Sequence, residues 1–242
     1  MLKQIHCDLY KVFLRFYFYV MALALGGLCI LLNAVMANQG GKAYPVSFSW
    51  QFFTSLLSYG LFLLPMLTEI VLAEENREHT LKNAVSFGTA RGTLFVSKFV
   101  TSAILGVILI AAVLAFYCGS SLLLLPKDAA FTAEMVREFF ERVGAACIVY
   151  MAALAVSAFL SISLRRNSLF IFAYYGTVFL TDYLFKLLKI SFLNRYLLKT
   201  QFPAISSAQS LAQMQAPFLV AALTLVFFTA CGLLVFKKRD VN

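Results

Sequence analysis

Apolar residues in this chain fall into six long runs separated by polar breaks, covering approximately residues 16–36, 52–73, 99–117, 144–164, 168–187 and 216–236. About 30 Å of hydrocarbon crossed at 1.5 Å per residue needs roughly 20 such residues, and a helix satisfies every backbone polar group within itself. Each run therefore predicts a transmembrane helix, and an even number puts both ends of the chain on one side. Ahead of the first run, Leu2, Ile5, Leu9 and Val12 fall on one helical face, with Lys3, Gln4, Asp8, Lys11 and Arg15 on the others. That pattern predicts an interfacial helix over residues 1–15, lying on the inner leaflet.

Two breaks are more than connectors. Between Gly119 and Val143 an apolar run over 122–125 is stopped by Pro126. An amphipathic helix then starts near Thr132, with Met135, Phe139 and Val143 in register. Residues 188–215 hold Ile190, Phe192, Leu193, Tyr196, Leu197, Leu198 and Phe202, too apolar for a solvated loop, but Pro203 and the Ser206-Ser207 pair cut them short of a crossing. They predict short helices dipping back into the outer leaflet. No internal repeat and no linker marks a second domain, so the expectation is one all-α polytopic membrane domain spanning residues 1–242.

Composition agrees. Hydrophobic residues make up 62% of the 242 and charged residues 13%, against about 45–50% and 25% in ordinary soluble domains. Too little polar surface is left to cover a water-soluble fold. The formal charge of +9 is first an orientation signal and a grip on anionic headgroups; no basic run with interleaved aromatics points to nucleic acid. With both ends inside, twelve basic residues face the cytoplasm and eight face out. The tight basic clusters Arg165-Arg166 and Lys237-Lys238-Arg239 agree with that orientation. A cleaved signal peptide after Val35 and Ala37 is the rival reading of the N-terminus, but the first run is longer than a signal h-region. Cys7, Cys29, Cys118, Cys147 and Cys231 form no C-x-x-C pair, and His6 and His79 lack the i,i+4 spacing of a helical zinc site. Neither disulfide nor metal is expected.

The cytoplasmic chemistry concentrates in residues 74–98, about 25 residues where 2 to 8 would connect two helices. Leu81, Ala84 and Val85 make an apolar patch on a short helix that Gly88 can end, with Glu78, Lys82 and Asn83 around it. Such a helix suits docking into another protein's groove. The order Glu75, then Thr80-Leu81-Lys82-Asn83, then Arg91 and Lys98 at the mouth of the next crossing resembles the segment after the second helix of ABC-2 type transporter permeases. The closing Phe236-Lys237-Lys238-Arg239-Asp240-Val241 is similar to that family's cytoplasmic end. Where the family often has a Ser-Pro turn before the arginine, this chain has Phe87-Gly88-Thr89-Ala90.

The resemblance implies a permease subunit in a bacterial cytoplasmic membrane, coupled through Glu75, His79, Thr80, Leu81, Lys82, Asn83 and Arg91 to separate ATPase subunits. It also implies a homodimer or a pair with a sister permease, and export or extraction of a hydrophobic or amphipathic compound such as a peptide, including antimicrobial peptides, a lipid or a drug. The residues themselves say that this chain is not the motor, because it has no G-x-x-x-x-G-K-[ST] loop; Gly40-Gly41-Lys42 lacks the first glycine and the Ser or Thr. No cofactor is expected on it, with ATP and Mg on the partner.

Glu69 and Asp182 fall inside apolar runs, at an insertion cost on the order of 2.5 to 3.5 kcal/mol each. Asp182 has Lys186 one turn on, which predicts an i,i+4 ion pair or, alternatively, a wall contact for a cationic substrate. Glu69 is expected to pair with Arg15 or Arg91. Pro65 is expected to kink the second crossing, Gly26-Gly27 to permit close helix contact, and Phe170, Tyr174 and Phe185 to form core. Glu74-Glu75 beside Arg77 superficially resembles the paired glutamates of CAAX-type membrane proteases, but the last four crossings hold no histidine to bind a metal. A secondary transporter or channel would want matched mid-membrane carboxylates, and Asp182 is single and off-centre.

Overall fold

The computed structural model describes residues 1–38, 43–73, 90–164, 167–189, 191–208 and 211–238, and the side chains of all of these except 167, 168, 191, 211 and 238. Glu75, His79, Thr80, Leu81, Lys82 and Asn83 lie outside the described residues, as do Gly40-Gly41-Lys42, Arg165-Arg166 and residues 239–242.

Helix α1 (Leu2–Phe13) runs through an extended Arg15 into α2 (Phe16–Ala37). The next crossing changes pitch three times. It is α-helical as α3 (Val46–Leu56), tightens to a 3₁₀ stretch over Leu57–Leu63, resumes as α4 (Leu64–Thr68) and loosens into a π turn at Glu69–Ala73. Two long helices follow, α5 (Arg91–Leu124) of 34 residues and α6 (Ala133–Ser163) of 31. Then come α7 (Asn167–Tyr175), a π turn over Gly176–Leu180, α8 (Thr181–Leu187), α9 (Ser191–Asn194) and α10 (Gln201–Ser207). A 3₁₀ turn at Leu211–Met214 leads into the last helix, α11 (Gln215–Lys238).

Among the described residues every regular element is helical, and five helical stretches are long and apolar enough to cross a membrane: Phe16–Ala37, Val46–Leu72, Arg91–Leu124, Ala133–Ser163 and Ala212–Lys237. These mark an all-α, multi-pass membrane protein. Residues 168–187 are helical too, with a π turn at Gly176–Leu180 and the charged Asp182 and Lys186; they are not among the five.

Helix α6 is the central post. Its alanines at 145, 146, 152, 153, 155 and 158 are buried, and small side chains let α11 lie close along it. The amphipathic helix expected from Thr132 and the crossing after it are one continuous element, started by Thr132, whose hydroxyl accepts from the Met135 N–H at 3.3 Å. Helices α2 and α11 leave Leu23, Leu31, Leu223, Val226 and Phe227 exposed, the surface a helix presents to lipid. Where α2 crosses α5, a Cβ on Gly26 would fall 2.5 Å from the Phe116 ring, whereas Gly27 meets nothing within 4 Å. Only one of the two glycines is there for close approach.

The irregular second crossing has a local cause. Pro65 has no N–H, so the Leu61 carbonyl four residues earlier loses its helical donor. Tyr174 Oη on α7 donates to that carbonyl at 3.0 Å, Tyr175 Oη donates to the Phe62 carbonyl at 2.9 Å, and Tyr150 Oη on α6 donates to the Leu57 carbonyl. In hydrocarbon a carbonyl without a donor costs several kcal/mol; Tyr174 supplies one where Pro65 cannot, and the three phenols together tie the 3₁₀ stretch to α6 and α7. Gly60 lies under one of them, since a Cβ there would meet Tyr150 Oη at 2.5 Å. Of the expected core stripe, Phe170 and Tyr174 are buried and Phe185 is half-buried.

Candidate functional site

Arg91, the sequence-predicted coupling residue within the described part of the chain, opens α5 after an extended Ala90. Its Nη1 donates to the Lys237 carbonyl in the last turn of α11 at 3.1 Å. One turn further, the Phe95 ring packs 6.1 Å from that of Phe236. A Cβ on Gly232 would fall 2.7 Å from Phe95 Cζ, so α11 needs glycine there to seat the ring. Leu72, Leu94, Phe95, Ala158, Ile162 and Phe236 form a small apolar cluster of their own, joining the end of the second crossing to α5, α6 and α11.

Seven residues into α5, Lys98 Nζ donates to Asp8 Oδ1 at 2.7 Å, with the two side chains 1% and 2% exposed. Nothing in the sequence reading assigned this pair. Asp8 was expected on the solvent face of the amphipathic helix, but Ile5, Asp8 and Val12 are the buried residues of α1. The correction has a physical reason: an ammonium buried at the start of a membrane helix needs a carboxylate, and the spacing 5, 8, 12 puts Asp8 on the inward face. That spacing was the available signal, together with a lysine in a run that is otherwise uncharged from Leu94 to Leu125.

At the described residues that flank positions 74–89 in the chain, then, the helices build a frame. From residue 90 the chain enters the longest helix among the described residues, and the first turns of that helix are tied to α1 by an ion pair and to α11 by a hydrogen bond and ring packing. Glu69, at the start of the π turn before the segment, is half-buried.

At the far end of the chain's fifth apolar run, Asp182 Oδ2 accepts from Lys186 Nζ at 3.0 Å and lies 3.2 Å from Lys199 Nζ. Lys199 also lies over two rings, 4.3 Å from the Tyr183 centroid and 5.4 Å from that of Phe179. The i,i+4 spacing pointed to Lys186; Lys199 is brought in only by the chain reversal through α9, which no local spacing reveals. A carboxylate shared by two lysines and flanked by aromatics is a structural tie between α8 and the segment leading to α10, and it leaves one net positive charge beside exposed Tyr183.

A third polar group joins α2, α3 and α5. Asn33 Nδ2 donates to the Tyr117 carbonyl at 3.0 Å and to Ser120 Oγ at 2.8 Å; Ser49 Oγ donates to Asn33 Oδ1 at 2.8 Å, and Tyr117 Oη donates to the Ser49 carbonyl at 2.8 Å. Beside it Trp50 Nε1 donates to Ser121 Oγ at 2.9 Å, with the indole 4.5 Å from the Phe139 ring. No protein-family model matches the chain, and no curated protein matches it.

Proposed function

We propose that this chain is the membrane-spanning subunit of an ATP-driven exporter of the ABC type, acting in a bacterial cytoplasmic membrane with both termini inside. Residues 168–187 make the sixth crossing, and 188–215 dip into the outer leaflet before α11. Separate ATPase subunits hydrolyse ATP and seat on residues 74–98, with Glu75, His79, Thr80, Leu81, Lys82, Asn83 and Arg91 at the contact. The working unit holds two permease chains, identical or sister, and two ATPases. The cargo is hydrophobic or amphipathic: a peptide, a lipid or a drug.

The observation that carries this reading is the frame around that segment. Closure of an ATPase dimer shifts a two-state equilibrium, and the membrane helices respond only as far as their contacts differ between states. A push at Arg91 reaches α5 directly, α1 through the Lys98–Asp8 pair, and α11 through Arg91 and Phe95. A solvated connector would need none of these ties.

The test is co-purification with the tagged chain, followed by ATPase measurements on the reconstituted complex against a panel of amphipathic peptides and lipids. An ATPase subunit should co-purify, and its hydrolysis should rise with cargo. Alanines at Thr80, Leu81, Lys82 and Asn83 should abolish that stimulation while membrane insertion persists. Stimulation that survives the alanines, or a chain that transports with no ATPase attached, overturns the reading.

A further inference from the structure

A cleft of about 390 Å³ opens between α2, the second crossing and α5, with Val143 and Tyr150 of α6 at its back. It exists because α2 packs along α5 but not along the second crossing, which it meets at the Asn33–Ser49 bond. Leu25, Leu32, Phe52, Leu63, Gly106 and Val113 are among its walls, and among the described residues none of the lining side chains carries a charge. Of the three phenols that line it, Tyr117 and Tyr150 are engaged with Ser49 and Leu57 and Tyr59 sits at the exposed opening, so water inside would find few partners. Leu28 and Tyr59, both more than half exposed, flank the opening, which therefore faces hydrocarbon sideways. The hydrogen-bonded group of Asn33, Ser49, Tyr117 and Ser120 closes the end nearer Leu124.

Dimensions select the occupant. From Gly106 to Tyr117 the cleft follows α5 for about 16 Å, from the helix midpoint toward its Leu124 end, against about 15 Å for half a hydrocarbon core. A volume of about 390 Å³ is about a third of the ~1,250 Å³ that a cylinder 10 Å wide fills over that length. A helix of a second copy is about 10 Å wide and does not enter. A single extended hydrocarbon chain does.

We propose that this cleft binds one acyl chain of a bilayer phospholipid, drawn in laterally from the leaflet on the Leu124 side of α5. The site stands whether or not the chain is a permease, and its test does not involve an ATPase.

The full-length protein, purified in mild detergent from native membrane, is examined by native mass spectrometry. A phospholipid with a photoreactive group midway along one acyl chain is cross-linked in parallel. Gly106→Leu fills the cleft at little cost, because a Cβ there meets only Leu67 Cδ1, at 3.5 Å. Leu28→Trp narrows the opening, and Val226→Phe on the exposed face of α11 is the control. Helix content and melting are checked for each. One phospholipid should remain on the parent and on the control, about tenfold less on the two cleft variants, and cross-links should map to residues 25–32 and 106–113. Equal retention in all four proteins overturns the site. So do cross-links confined to α11, a retained molecule without an acyl chain, or a Gly106→Leu variant that changes only the association of two chains.

Discussion

Replacing Lys98 with methionine takes the ammonium away from a carboxylate that is 2% exposed, and removing one partner of such a pair costs about 3–5 kcal/mol. Asp8→Asn is expected to cost a similar amount, seen as a lowered melting temperature in detergent. The double replacement Asp8→Leu with Lys98→Met should regain most of the loss, because an apolar pair of similar volume needs no compensation. Single variants that melt like the parent would show that the tie contributes nothing. This pair also marks the limit of legibility at the residue scale. The amphipathic pattern of residues 1–15 located the helix but put Asp8 on its polar side, since the wheel scores a residue's type and not what an opposing helix offers. Lys98 was read as an inside charge and as the close of the 74–98 motif, with no partner assigned, because that partner lies 90 residues earlier. Asp182 and Lys186 were legible because an i,i+4 pair sits on one helix; Lys199 was not.

The second crossing makes a prediction of its own at the scale of an element. Tyr174→Phe removes the donor to the Leu61 carbonyl and should cost about 1 kcal/mol. Pro65→Ala returns an N–H that can reach the same carbonyl, so Tyr174→Phe should cost less in the Pro65→Ala background, and a double-mutant cycle in thermal melts measures the difference. Additive effects would show that the phenol is not standing in for the missing N–H. The two glycines of α2 separate as well. Gly26→Val drives a side chain into Phe116 and is expected to destabilise by about 1–3 kcal/mol, whereas Gly27→Ala should be neutral. Helix positions followed from run length and hydropathy, which are local properties. Pro65 marked the second crossing as irregular, but the extent of its 3₁₀ stretch, Leu57–Leu63, did not follow, because it also depends on the phenols that α6 and α7 supply; nothing local marked the π turn at Gly176–Leu180. Pro203 sits in the first turn of α10, where a missing N–H is no loss; the sequence marked it as a breaker.

For the whole molecule, orientation and the number of crossings can be read with a membrane-impermeant thiol reagent. Cys7 is exposed on α1, and three crossings separate it from Lys127. In a background lacking the other four cysteines, Cys7 should label only after the membrane is opened, and Lys127→Cys from outside intact cells. Lys237→Cys should label on the Cys7 side, the side of Arg91, which bonds the Lys237 carbonyl; labelling from outside intact cells would overturn both the sixth crossing and that contact. Architecture was the most legible level, since a chain 62% hydrophobic has few soluble alternatives. The candidate site was legible as a list of polar residues after the second crossing but not as a mechanical assembly, because Asp8 and Phe236, which brace α5, lie at opposite ends of the chain.

Trp50 is the chain's one tryptophan, and it is wedged between Phe139 and a serine hydroxyl where α3 meets α5. The protein therefore carries an intrinsic fluorophore at the junction that must part if the first three crossings separate. Its emission should be blue-shifted and shielded from aqueous quenchers at rest, and any working cycle that spreads those helices should register as a red shift without an added dye.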